Sequence, residues 1–259
     1  MVFRQFHNII SLFSIYKIVM YSYVTIFLYI CIMLFQDLQF REDTHTYMLD
    51  GKKIPSMSSI ISELSDKFNL EAASYNSAKS KGVSQDVIKK QWQFINESAV
   101  YGGHNTHNYG EKGGNVDSKH KEAVQQYLHN LPSYYRIVAK EIRMYTRKYW
   151  IAGTADLLLQ DLRDGSFIIS DYKTNKDLFK TYNDDLHYPF DDYINSPYNK
   201  YIIQTNGYQI MLEEVGLVVK ERHVVWVAKR SASAMYTVFK LPDVTDKLKE
   251  YYAIRTNII

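Results

Sequence analysis

The chain has 259 residues and a formal net charge of +3, from 31 Lys and Arg against 28 Asp and Glu. This charge is too small to indicate nucleic-acid binding, and 46% hydrophobic with 23% charged residues excludes disorder, collagen and a coiled-coil rod. The single cysteine, Cys31, excludes an intramolecular disulfide framework, a thiolate zinc cluster and a four-cysteine iron–sulfur site. We expect one globular domain over residues 37–259.

An apolar run without charges spans Ile18 to Phe35, the minimum length of a transmembrane-helix candidate. A cleaved signal peptide is disfavoured because no small-residue cleavage site follows the run, and a transit peptide because the run is neither amphipathic nor Arg-rich. Residues 1–36 are therefore interpreted as either a membrane anchor or an extension upstream of a later start at Met20 or Met33. Membrane association stays open.

The first elements after this segment are a hairpin and a capped helix. Strand-like runs at Leu38 to Leu49 and Lys52 to Ile54 are joined by Asp50-Gly51, which strongly favours a β-hairpin. Ser56 and Ser58 then precede an apolar-periodic stretch, where a serine hydroxyl can cap the free amides of a first helical turn.

Helical patterns follow the hairpin. Val87, Gln91, Phe94 and Ser98 share one helix face, and Gly102-Gly103 is expected to interrupt this helix. A further helix is predicted over residues 115–131, before Pro132.

The pattern then changes to extended structure. Three β-branched and aromatic runs predict an antiparallel meander: Tyr135 to Thr146, Trp150 to Gln160 and Phe167 to Lys173. The later elements are predicted as a helix at Lys200 to Val215, strands at Val219 to Lys229 and Tyr236 to Lys240, and a helix from about Asp243. The order predicts an α/β or α+β fold, with helices flanking a mixed sheet.

Folding the meander in two dimensions brings charged residues together. A two-residue turn at Asp164-Gly165 places Asp156 opposite Lys173, with Asp171 as the diagonal neighbour on the same face. A turn at Lys148-Tyr149 places Glu141 opposite Asp156. Three carboxylates and a lysine therefore share one patch.

Carboxylates that crowd in an apolar sheet need a compensating cation, because like charges raise one another's pKa. Mg²⁺ accepts one or two carboxylates, water and substrate phosphate as ligands, and it activates water and polarises phosphoryl oxygens. Lys173 would then orient or deprotonate the water. The alternative is a structural salt bridge between Lys173 and Asp171 or Asp156.

These residues stand in a recognisable order. Gly153-Thr154-Ala155-Asp156, followed by Asp171-Tyr172-Lys173, resembles the active-site core of PD-(D/E)XK nucleases, in particular the RecB-like exonuclease branch. Gly103 to His107 is similar to the branch's Gly-x-x-x-His helix element, and Gln204 with Tyr208 to its Gln-x-x-x-Tyr helix. The run Phe40 to Leu64 also resembles the N-terminal hairpin and helix of phage and mitochondrial members.

The resemblance implies a restriction-endonuclease-like core that hydrolyses DNA phosphodiesters with Mg²⁺ or Mn²⁺. It implies metal ligation by His107, Asp156, Asp171 and the backbone carbonyl of Tyr172. Lys173 would be the catalytic lysine, and Glu141 a supporting acid or second-metal ligand. The iron–sulfur cysteines of some relatives are absent from the sequence, so no cluster is expected.

Each assignment competes with a simpler interpretation. His107 lies in a Gly- and Asn-rich stretch that also suits a solvent loop, and Glu141 also suits an outward-facing strand position. Gln204 and Tyr208 are expected to position the site or touch DNA, and Lys176 to contact a phosphate, although surface lysines usually do nothing specific.

The leading hypothesis is a metal-dependent DNA exonuclease in replication, recombination or repair, with a phage or another mobile element as one candidate source. It would act in the cytoplasm, or in the host cytoplasm if viral. The expected substrate is a single strand or a duplex end, and a recombination or replication protein is a candidate partner. The alternatives are a catalytically silent RecB-like module that binds DNA or protein, and a membrane-tethered protein.

Overall fold

The structure is a computed structural model that describes residues 35–113, 120–182, 184–227 and 235–256. A five-stranded mixed sheet and a small three-stranded sheet are accompanied by six helices in the described part. The strands are β1 Gln39–Arg41, β2 Thr46–Leu49, β3 Lys52–Ile54, β4 Tyr135–Thr146, β5 Ile151–Asp161, β6 Phe167–Lys173, β7 Val219–Trp226 and β8 Thr237–Lys240. The helices are α1 Met57–Glu63, α2 Leu70–Lys81, α3 Gln85–Lys112, α4 Lys121–His129, α5 Pro197–Glu214 and α6 Thr245–Thr256. The predicted mixed α+β architecture is confirmed.

The N-terminal elements form as their local chemistry predicts. Asp50 and Gly51 both have positive φ, 51° and 74°, as a tight turn between β2 and β3 requires. The Ser56 hydroxyl accepts a hydrogen bond from the Ser59 amide at 3.1 Å and caps α1. The single run predicted over Leu38 to Leu49 is instead the antiparallel pair β1 and β2.

The long helix α3 corrects the expected break at Gly102-Gly103, because the helix continues through both glycines to Lys112. Two glycines destabilise a helix by about 1 kcal/mol each relative to alanine. Packing beyond them offsets this cost, since Thr106, Tyr109 and Gly110 are buried. The first half of the helix is less covered, and Phe94 is 70% exposed.

The large sheet has the order β4-β5-β6-β7-β8, and only its β6–β7 pairing is parallel. The β4–β5 register is as predicted: Ile142 pairs with Ala155, which places Glu141 across from Asp156. The predicted β5–β6 register is wrong by two residues. Leu157 pairs with Ser170, so that Asp156 lies across from Asp171 and not from Lys173.

A longer loop explains the shifted register. The Asp161 amide donates to the Ser166 carbonyl at 2.8 Å, which leaves a four-residue connection, Leu162 to Gly165, in place of the predicted two-residue turn. Side chains hold this loop, because the Asp164 carboxylate accepts the Ser166 amide at 2.9 Å. Asx turns of this kind compete with a tight hairpin turn.

The sheet is covered on both faces. On one face, α1, α5 and α6 pack over residues such as Leu158, Ile169 and Val224; on the other, α3 and α4 pack over Leu157 and Tyr172. This arrangement places α3 and α5 on opposite faces of the strands that carry the predicted acids.

Some predictions fall outside the described residues: the apolar run of residues 18–34, residues 115–119 of the predicted 115–131 helix, and residues 228–229 of the predicted strand. Within the described ranges, none of the helices combines the length and apolar character needed to cross a membrane.

Candidate metal centre

A cleft of about 600 Å³ opens between the small sheet, α3, the meander and α5. Seven predicted residues line it: His107, Glu141, Asp156, Asp171, Lys173, Gln204 and Tyr208. They come from five elements, α3, β4, β5, β6 and α5, and so from positions up to about a hundred residues apart. Only the packing of these elements brings them together.

Three of these side chains form a compact donor group. Nδ1 of His107 lies 2.5 Å from Oδ1 of Asp156 and 3.9 Å from Oε1 of Glu141. One donor atom from each residue falls within 4.8 Å of the other two. This spacing suits a single cation contacted by all three.

His107 reaches the sheet because α3 approaches it closely. Gly110, one turn further along the helix, has no side chain, and a Cβ there would lie 2.7 Å from Cε2 of Tyr172. The aromatic ring of Tyr172 is itself buried beneath α3 and α4. The histidine is therefore held on a helix, and the solvent-loop interpretation of this stretch is wrong.

Glu141 reaches the donor group from a strained strand position. Its φ is 49°, which is left-handed, while the neighbouring residues pair normally with β5. A left-handed backbone costs a non-glycine residue roughly 1–2 kcal/mol. Such strain persists where the surrounding structure demands it, and it clusters at functional sites.

Asp156 and Asp171 are both buried and interlocked. The Asp156 amide donates to Oδ1 of Asp171 at 3.4 Å, and Oδ2 of Asp156 accepts the Tyr172 amide at 2.5 Å. Lys173 forms an ion pair with Oδ2 of Asp171, and its ammonium lies 4.5 Å from the centroid of the Tyr201 ring. The predicted salt bridge of Lys173 is thus present in the structure, and its partner is Asp171.

Burial and neighbouring charges shift the pKa values of the cleft residues. Burial and then the charge of Asp156 raise the pKa of Glu141 to about 8 and also raise the pKa of Asp171. Burial lowers the pKa of His107, but Asp156 outweighs burial and raises it to about 9. Burial also lowers the pKa of Lys173, but the negative charge of Asp171 outweighs burial and raises it. A metal cation bound by these side chains would replace the protons that the raised pKa values favour.

The donor chemistry fits a divalent metal ion. Two carboxylate oxygens and an imidazole nitrogen form a mixed set, in which carboxylates suit Mg²⁺ or Mn²⁺ and the imidazole favours the transition metal. Oε1 of Gln204 is a further buried acceptor at the cleft that lacks a hydrogen-bond partner among the described residues.

The remaining predicted residues fall into different places. The Tyr208 ring is buried and fills the space left by Gly153, where a Cβ would lie 2.5 Å from Cε1 of the ring. Lys176 is exposed in the loop after β6 and is not among the residues that line the cleft. The ligand role of the Tyr172 carbonyl stays a prediction.

Sequence reasoning missed the wall that the N-terminal hairpin contributes. The Tyr47 hydroxyl and Oγ1 of Thr154 are hydrogen bonded at 2.7 Å, which joins β2 to β5 beside Asp156. Phe40 and Arg143 also line the cleft. The sequence signal for this wall was the hairpin and helix pattern of Phe40 to Leu64, but no spacing rule placed that run beside the acids.

The sequence matches neither the models of protein families nor the curated proteins with which it was compared.

Proposed function

We propose that this protein is a divalent-metal-dependent DNA exonuclease that hydrolyses phosphodiester bonds in replication, recombination or repair. The observation that carries the proposal is the convergence of His107, Glu141, Asp156, Asp171 and Lys173 in one cleft. The order of these residues along the chain, which resembles that of RecB-like nucleases, supports the same conclusion.

The metal donors in this proposal are His107, Glu141 and Asp156, with Asp171 beside them. Bound there, Mg²⁺ or Mn²⁺ would supply polarisation of a phosphoryl oxygen and a lowered pKa for water. The Tyr172 amide holds one oxygen of Asp156, which directs the other toward His107.

Lys173 supplies positive charge next to the acids. Its side chain is 12% exposed, and its ammonium group contacts Asp171 and the Tyr201 ring at the cleft. Its raised pKa keeps it protonated at neutral pH, so we assign it to stabilising charge on the phosphate and orienting water. Gln204 and Tyr208 line the cleft from α5 and are assigned as positioning residues.

The test measures degradation of end-labelled single-stranded and duplex DNA by the full-length protein with Mg²⁺, Mn²⁺ or EDTA. We expect metal-dependent loss of nucleotides from an end, which Asp171→Asn and Lys173→Met each abolish. Asp192→Asn and Lys247→Ala are charge-matched controls from an exposed ion pair that does not line the cleft.

Activity that survives in both site variants would refute the assigned site. Cleavage of closed circular DNA at the same rate as linear DNA would refute the exonuclease assignment. DNA binding without cleavage in any metal would instead identify a catalytically silent binding module.

A further inference from the structure

Arg143 is a cation of the cleft that the proposed chemistry does not use. It lies on β4 two residues after Glu141, lines the same cleft and keeps 44% of its side chain exposed. Its guanidinium carbon is 4.8 Å from the centroid of the Phe40 ring. An aromatic ring at this distance restricts where the planar group can point without neutralising its charge.

The charge of the cleft creates a requirement that Arg143 meets. Five carboxylates line the cleft: Glu42, Glu111, Glu141, Asp156 and Asp171. Three Lys or Arg residues of the described chain line it with them, and Lys173 is committed to Asp171. Lys112 is exposed and lies 3.6 Å from Glu111. Because carboxylates outnumber cations in the cleft, a DNA strand needs a cationic contact beside the N-terminal hairpin, where Arg143 lies.

The partner that Arg143 has in the structure is weakly held. Its Nη2 lies 3.7 Å from Oε1 of Glu42, which is longer than a hydrogen bond, and the Glu42 side chain is 83% exposed. Exposed pairs of this kind contribute little to stability. An anion that offers two oxygens to the guanidinium would displace this carboxylate readily.

We infer that Arg143 is a phosphate-binding residue, which holds the backbone phosphate of DNA next to the one at the metal donors. Phe40 positions the guanidinium, and the Glu42 carboxylate pairs with it when DNA is absent. Because Arg143 and Glu141 are two residues apart on a strand, about 6.6 Å along its axis, the two phosphates would belong to one strand. This inference rests on the proposed nuclease function.

The experiment measures binding of a fluorescent single-stranded oligonucleotide to the full-length protein over a series of salt concentrations. A Lys173→Met background with Mn²⁺ keeps the oligonucleotide intact. We expect Arg143→Ala to weaken binding about five- to tenfold at low salt. It should also make the slope of log K against log salt shallower by about 0.7, the value for one lost single-strand phosphate contact.

Three variants separate this role from general charge. Arg143→Lys should keep the salt slope and lose only part of the affinity, because an ammonium group contacts phosphate without the bidentate geometry. Phe40→Leu should weaken binding with an unchanged slope. Arg136→Ala removes the same charge from the same strand, where Arg136 bonds Gln160 away from the cleft, and should leave affinity and slope unchanged.

Glu42→Gln tests whether the Glu42 carboxylate competes with DNA phosphate for Arg143. It should tighten binding about two- to threefold by removing a competing exposed carboxylate. Glu122→Gln on α4, with the same change in net charge, should not do so. In the chain with Lys173 intact, Arg143→Ala should raise KM for DNA and leave kcat within about twofold.

The results distinguish the two proposals. If the unsubstituted protein degrades DNA but Arg143→Ala behaves like Arg136→Ala, the phosphate-binding role is wrong and the nuclease function stands. A fall in kcat without a rise in KM would also overturn the role. If the protein neither binds nor cleaves DNA in any metal, both proposals fail.

Discussion

Two glycines of α3 should respond in opposite directions to the same substitution. Gly103 and Gly110 lie seven residues apart in one helix, and both have helical backbones. At Gly103 an added Cβ would meet Oγ1 of Thr174 at 3.5 Å, an ordinary contact. At Gly110 it would lie 2.7 Å from Cε2 and 3.3 Å from Cδ2 of the buried Tyr172 ring.

The magnitudes follow from these distances. Alanine favours a helix interior over glycine by about 1 kcal/mol, and both positions receive this gain. At Gly110 the Cβ lies 2.7 Å from the ring, so it needs about 0.8–1.3 Å more room to reach an ordinary carbon contact of about 3.5–4.0 Å. Overpacking of a buried ring costs about 1–3 kcal/mol. We expect Gly103→Ala to stabilise the protein by up to about 1 kcal/mol. Gly110→Ala should destabilise it by up to about 2 kcal/mol, which is the overpacking cost less the helix gain.

Thermal unfolding of the metal-free protein measures the difference. The two variants should differ in stability by the overpacking cost, about 1–3 kcal/mol. For a domain of about this size, 1 kcal/mol changes Tm by about 2–4 °C, so their Tm values should differ by about 2–12 °C. A second readout is Mn²⁺ affinity by titration calorimetry. Gly110→Ala displaces α3 from the sheet, and with it His107, so affinity should fall in this variant and not in Gly103→Ala.

Equal Tm changes of the same sign in both variants would refute the close approach of α3 to Tyr172. A destabilised Gly110→Ala that retains full Mn²⁺ affinity would confirm the packing and refute its role in placing His107.

Three further outcomes are expected. His107→Ala should weaken Mn²⁺ binding at least tenfold, roughly the loss seen when a residue that hydrogen-bonds a metal ligand is removed. Mg²⁺ binding should weaken less, because carboxylates contribute most of the Mg²⁺ affinity. Mn²⁺ binding should strengthen as pH rises from 6 to about 9 and should release protons. The reason is that Glu141, with a pKa of about 8, and His107, with a pKa of about 9, must be deprotonated to bind the metal. Calorimetry in two buffers of different ionisation enthalpy measures the number of protons released. Ser56→Ala should destabilise the protein by about 1 kcal/mol through loss of the α1 cap, whereas Ser58→Ala in the exposed first turn should not, as judged by urea unfolding.

The sequence by itself determined the features that short-range chemistry controls. Asp50-Gly51 specified its turn because both residues tolerate positive φ, and Ser56 specified the start of α1 through one hydroxyl. The β4–β5 register was also readable, because the turn centred on Lys148-Tyr149 fixes which residue lies across from Glu141.

Only the tertiary structure decided how these elements meet. The β5–β6 register depends on side-chain hydrogen bonds in the loop after Asp161, and α3 passes through Gly102-Gly103 because its later turns are buried against the sheet. The contact of Arg143 with Phe40 joins segments distant in sequence, and the left-handed backbone of Glu141 lies inside a strand whose sequence pattern does not indicate it. Their energies come from packing and charge across the cleft, which local spacing does not encode.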